Sequence, residues 1–176
     1  MLPEVANYLD RMEGLRKQVR ELISSVPAEA LNWRPIEGDD DHATNSLAVM
    51  VAHIAGAEHR WYHEVIGRQP ATRQRDREFK TVAENATGLV EKLVFNAEES
   101  QRILAALSAE DLAGAREVEG HNVPVRWAIL HVIDHTALHL GHMQITYQLW
   151  NGGQAVAAPR WFQRLANPPA DAHSSK

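Results

Sequence analysis

Apolar residues recur three and four positions apart along four long stretches of this chain, with no comparable stretch of strand-like alternation. That pattern points to helices packed on helices. The first stretch runs from residue 3 to about residue 26 through Val5, Leu9, Met12, Leu15, Val19, Leu22 and Ile23, and ends at Pro27. A second helix is expected from about Ser46 to Ile66, capped by Thr44 or Asn45 and stopped by Gly67. Thr81 and Glu84 have capping-box spacing, and the stripe through Val82, Ala86, Leu89, Leu93, Ala97 and Leu104 predicts a third helix reaching about Leu107. Pro124 suits a first helical position, so the fourth and most apolar helix runs from there to Trp150, before Asn151, Gly152 and Gly153.

Between these segments, residues 28–44 carry Pro35, Gly38 and three consecutive Asp and read as a loop. Residues 108–123 hold Gly114, Gly120 and Asn122, a connector with room for a small hairpin before the last helix. The expected fold is all-α, a four-helix bundle over residues 1–153. Residues 154–176 are expected to form an extension in which Trp161, Phe162 and Leu165 can dock and the last dozen residues are loose.

Cysteine is absent, so any metal must rest on His, Asp or Glu. The net charge of −5, with no basic block, removes the electrostatic footprint of a nucleic-acid binder. The amino terminus has no signal-type apolar core and no run is long enough to span a bilayer, so a cytoplasmic protein without a membrane partner is expected.

His131, His135, His139 and His142 fall on one stripe of the fourth helix. Arg126, Asp134, Gln144 and Gln148 cluster nearly opposite, while Trp127, Ala128, Leu138, Ile145 and Leu149 flank the stripe, which places it on the core side. Imidazoles buried without partners each cost about 1–3 kcal/mol, and a shared metal ion relieves that cost. Two His at i and i+4 can reach one ion from a single helix, and neutral imidazole suits several divalent transition metals. On the second helix His53 lies near the apolar side and is the better third ligand. His59 points away and His63 is intermediate, so both read as solvated surface residues. Glu58, Glu64 and Asp134 lie near these motifs, but Asp134 and Glu58 are off the ligand faces, and no catalytic acid or base is assigned.

Three pieces of the chain together resemble the DinB-like, YfiT-like family of metal-binding four-helix bundles. They are Leu31-Asn32-Trp33-Arg34-Pro35, the SLAVMVAHI segment at 46–54 and HVIDHTALHLGH at 131–142. The resemblance spans about residues 1–153 and implies a divalent metal held by His53, His135 and His139. Leu140 and Gly141 follow the family pattern, but His142 stands where Gln is usual, which adds a further donor, a fourth ligand or nothing. His131 matches a family position that is not a ligand and reads as a packing or supporting residue.

Three neutral His leave one coordination position open for water or substrate, as in catalytic rather than closed structural sites. Zinc is the first expectation for the metal, with nickel, iron or manganese as alternatives. The resemblance implies thiol transfer with a low-molecular-weight thiol such as mycothiol or bacillithiol as cosubstrate. A metal-dependent hydrolase is the runner-up, and a non-catalytic metal or small-ligand binding bundle is the reading from another class. The expected partners are a small-molecule substrate and, given exposed Trp residues, a second copy in a homodimer.

Overall fold

The computed structural model describes residues 1–38, 43–155 and 159–165. Pro3 occupies the first turn of α1 (Pro3–Ser24), where a missing N–H costs nothing, and the helix buries Val5, Met12, Leu15, Val19, Leu22 and Ile23. Residues 28–44 are not all loop, because Ala28–Asn32 closes a short helix, α2, that buries Ala30 and Leu31. The run of three Asp lies outside the described residues.

Helix α3 (Leu47–Glu58) is capped by Ser46, whose side chain accepts from the Val49 N–H, rather than by Thr44 or Asn45. Every residue of α3 is buried except His53, which is partly so. The expected single helix to Ile66 changes winding at its end, since His59–Ile66 is a π-helix. The Gly67 N–H reaches back five residues to the Tyr62 carbonyl, at 2.9 Å. A short α4 (Arg75–Glu78) follows.

Helix α5 spans Thr87–Ala105 with Ala86 at its N-cap, five residues later than the Thr81 cap suggested by the capping-box spacing. The cause is Asn32, which accepts from the Ala83 N–H at 2.9 Å and donates to the Ala83 carbonyl at 2.8 Å, spending both backbone groups outside a helix. Helix α6 (Ala109–Ala113) has the capping box that Thr81 and Glu84 lack, made by Ser108 and Asp111.

The expected hairpin is present as β1 (Ala115–Val118) and β2 (His121–Pro124), antiparallel with Val118 opposite His121. Glu119 and Gly120 turn it with positive φ of 52° and 82°, the pair of left-handed residues that a two-residue loop of this twist requires. Pro124 ends β2 and caps α7 (Val125–Trp150).

Helices α1, α3 with its π extension, α5 and α7 form the bundle. α7 packs on α1 and α3, and α5 packs on α1, α3 and the π-helix. The Tyr62 hydroxyl, fully buried, ties the π-helix to α7 by donating to the Ile129 carbonyl at 3.1 Å.

The face of α7 differs from its expected placement. The core takes Val125, Ala128, Ile129, Val132, Ile133, Thr136, Leu140, Met143 and Thr146. Trp127, Leu130, Leu138, Ile145 and Leu149 are exposed. The His stripe therefore runs along the border between the core and an uncovered apolar row, with core on one flank only.

Beyond α7, Trp161–Arg164 makes one 3-10 turn, and Gln163, Arg164 and Leu165 share a cleft with Asp10 and Gly14 of α1. The Trp161 side chain and residues 166–176, expected to dock and to be loose respectively, lie outside the described residues. Among the described residues no helix is long and apolar enough to cross a membrane.

Candidate metal centre

Packing of α7 on α3 brings His53 to the i and i+4 pair His135 and His139. One ring nitrogen from each of the three lies within 4.8 Å of the others. The ring centroids are 4.5 Å apart for His135 and His139, 4.9 Å for His53 and His135, and 5.1 Å for His53 and His139. The Nε2 atoms of His53 and His135 approach to 3.1 Å. Two nitrogens on a tetrahedral ion with bonds of 2.0–2.1 Å stand about 3.3 Å apart, so this spacing is close to what a shared cation needs.

The donors have the right charge state. Burial, and then the neighbouring imidazoles His139 and His53, push the His135 pKa down to about 3. Burial and then His53 and His142 push His139 down to about 4. Burial also lowers His53, against the pull of Glu78. At neutral pH all three rings carry lone pairs. Nδ1 of His135 and Nδ1 of His139 are buried without a hydrogen-bond partner among the described residues, so neither ring is held by a protein partner on that side. The residues present therefore fit a divalent metal.

Behind His53 stands Glu78, which the sequence did not suggest. The His53 Nδ1 is 3.0 Å from Glu78 Oε2. Arg73 clamps the same carboxylate with two bonds, Nε to Oε1 at 2.7 Å and Nη2 to Oε2 at 2.8 Å. Burial would raise the Glu78 pKa, but the bonds from Arg73 and His53 outweigh it and hold the carboxyl below its usual value. An ionised Glu78 accepts, so His53 carries its proton on Nδ1 and turns the Nε2 lone pair toward His135 and His139. A carboxylate behind a ligating imidazole fixes its tautomer and orientation in this way. Phe79 supports the ring from one side, with centroids 5.1 Å apart.

The remaining histidines separate. His131 is stacked on Trp127, with rings 4.9 Å apart and 5° from parallel, and meets Trp61 edge-on at 5.3 Å. It lies 5.8 Å from His135, in a packing position outside the three-His cluster. His142 is exposed and edge-on to His139 at 5.5 Å, also outside the cluster.

His59 and His63 are not two solvated surface residues. His63 is 1% exposed, with Nε2 3.2 Å from Ser100 Oγ, and its Nδ1 is 2.9 Å from that of His59. The Ser100 hydroxyl in turn donates to Glu58, which is fully buried against Arg16. Each residue turns through a smaller angle in π than in α winding, so His63 stays under the same cover as Glu58 instead of turning outward. Glu64 accepts from the backbone of Arg73 at 2.7 Å and from Arg60 at 3.1 Å. Glu58 and Glu64 are thus committed elsewhere, and Asp134 is exposed.

A solved structure described as the conserved protein of locus from Enterococcus faecalis superposes with a TM-score of 0.68. It covers 86% of this chain and 99% of its own at 13% identity, a likeness that shows the fold. No curated protein matches the chain significantly. The mycothiol-S-transferase profile matches residues 7–152, a span that contains His53, His135 and His139. The chain therefore belongs to the mycothiol-S-transferase family, a DinB/YfiT-like family of helical bundles.

Proposed function

We propose that this protein is a divalent-metal-dependent S-transferase that joins a low-molecular-weight thiol, mycothiol first, to a small electrophile. His53, His135 and His139 are the metal ligands in this reading, and zinc is the first candidate for the metal. The observation that carries it is the convergence of three imidazoles held neutral at one point of a bundle matched along its length by a thiol-transferase family.

A divalent cation, when bound, supplies a Lewis acid that favours the thiolate form of a thiol near neutral pH. The chain's own residues do the rest. Three neutral imidazoles add no negative charge, so the site keeps its full attraction for an anionic sulfur. Glu78, clamped by Arg73, keeps the His53 ring from swinging and holds its proton on Nδ1. None of Glu58, Glu64 and Asp134 contacts the three histidines, so no side chain is assigned as base and the thiol proton passes to solvent.

The test is elemental analysis of purified protein, followed by conjugation of mycothiol, bacillithiol or glutathione to 1-chloro-2,4-dinitrobenzene with and without restored metal. Near-stoichiometric metal and a metal-dependent rate with at least one thiol are expected. Absence of a metal-dependent rate with all three would overturn the transferase reading in favour of a hydrolase or a binding module.

A further inference from the structure

A cavity of about 480 Å³ opens beside the histidine cluster, and His139 forms part of its wall. Its other walls are largely apolar: Pro35 and Ile36 from the segment after α2, Met50 from α3, and Ile145 and Leu149 from the last turns of α7. Among the described residues no Asp, Glu, Lys or Arg lines it, and the described titratable residues of its wall are His139 and His142. Ile36, Ile145 and Leu149 are 53%, 58% and 57% exposed, so the cavity presents uncovered hydrocarbon next to the candidate metal centre.

The rim on the Ile36 side is fixed. The Thr44 N–H donates to the Ile36 carbonyl at 3.1 Å, and the Ile36 N–H donates to Thr44 Oγ1 at 3.0 Å. The Leu31 to Pro35 motif thus ends in a wall of this cavity. That gives a use to the one family-like piece of sequence that supplies no histidine.

We infer that this cavity is the acceptor subsite: it takes an uncharged, apolar electrophile with a ring-sized hydrocarbon body and presents its reactive carbon at the His139 end. This rests on the transfer reaction proposed above. The volume lies in the range of small-molecule sites, which are mostly apolar with a few polar groups to set orientation. The hydroxyl-rich body of a sugar-linked thiol gains little from such walls, and a charged acceptor would be desolvated against them with no counter-charge among the described lining residues. With a chloroarene, the thiol releases its proton to solvent and a sulfur–carbon bond forms. The carbon–chlorine bond then breaks, and chloride leaves with the bonding pair.

The experiment uses metal-loaded protein and 2,4-dinitrotoluene, an unreactive probe of the same shape, with binding measured by protein-observed NMR. Ile145→Asp and Leu149→Asp place a charge in the cavity wall at exposed positions, so circular dichroism should show folding unchanged. Leu130→Asp, on an exposed position of α7 that does not line the cavity, is the control. Binding is expected to weaken about tenfold or more in the first two variants and to hold in the control. The KM for 1-chloro-2,4-dinitrobenzene should rise in parallel, with kcat little changed, and 4-chloro-3-nitrobenzoate should be a poor substrate for the wild type.

If the wild type does not bind dinitrotoluene, or the wall variants bind it as well as the wild type, the subsite is wrong. The expected binding pattern without thiol transfer would sustain an apolar ligand site here and sink both the transfer reading and the acceptor role. Thiol transfer with the KM unmoved in the wall variants would sustain transfer and sink the subsite.

Discussion

The carboxylate of Glu78 lies directly over the backbone of Gly56: a methyl group added at Gly56 would collide with Glu78 Oε1. The absence of a side chain there is what lets Glu78 reach His53. Gly56→Ala should push the carboxylate away from the His53 Nδ1 and weaken metal binding in the same direction as Glu78→Gln. Partners of this kind typically change metal affinity about 10- to 100-fold. Competition titration with a chromogenic chelator reads both variants, and wild-type affinity in Glu78→Gln would remove Glu78 from the centre.

His135→Ala and His139→Ala should each abolish stoichiometric metal, because each removes one of the three proposed ligands. His142→Gln, which restores the family's usual residue, should keep both stoichiometry and affinity, since His142 is exposed and outside the cluster. His59→Ala should likewise leave metal content unchanged. Metal analysis of the four purified variants checks the assignment, and a loss of tenfold or more in His142→Gln would make it a ligand.

Metal-free protein should lose stability as the pH falls below that of an ordinary imidazole. In the folded state His135 and His139 stay neutral down to about 3 and 4, whereas in the unfolded chain they titrate near the ordinary imidazole value of 6.5. Between those values the unfolded chain binds more protons, so their contribution is full above about pH 6.5 and drains away toward pH 4. Urea midpoints between pH 7 and pH 4.5 should fall less steeply in the His135→Ala, His139→Ala double variant than in the wild type. Equal slopes would show that the two rings are not held neutral by burial.

Glu58→Ala should destabilise the bundle without changing metal stoichiometry. It would leave Arg16, 2% exposed, without its buried partner and take an acceptor from Ser100. Breaking a buried ion pair from one side costs about 3–5 kcal/mol. Chemical denaturation gives the magnitude, and a change below about 1 kcal/mol would mean that water reaches Arg16 and solvates it.

The long helices were legible because their core stripes keep one period over many turns, and the histidine set was legible because His135 and His139 share a helix face. Glu78 was not, since it arrives on a four-residue helix after an irregular connection, where no periodicity marks a side chain as inward. Helical winding at a constant angle also misplaced His63, which the π turn carries under cover. On α7 the error lay in reading apolar identity as burial. Trp127, Leu138, Ile145 and Leu149 look like core residues on a helical projection, and only the packing partners show that they face outward. The capping-box spacing at Thr81 failed for a tertiary reason, the grip of Asn32 on Ala83.

Trp127 stacks on His131, with Trp61 against both at 5.5 and 5.3 Å, so two indoles sit against one imidazole beside the candidate centre. Indole emission is sensitive to the state of a neighbouring imidazole, and His131 is one ring contact from His135. A shift of His135 on taking up a cation would be felt by His131 and read out in the light from the two indoles. If the proposed centre takes a cation, the aromatic row beside it should register the filling as a change in tryptophan emission, with no label added to the chain.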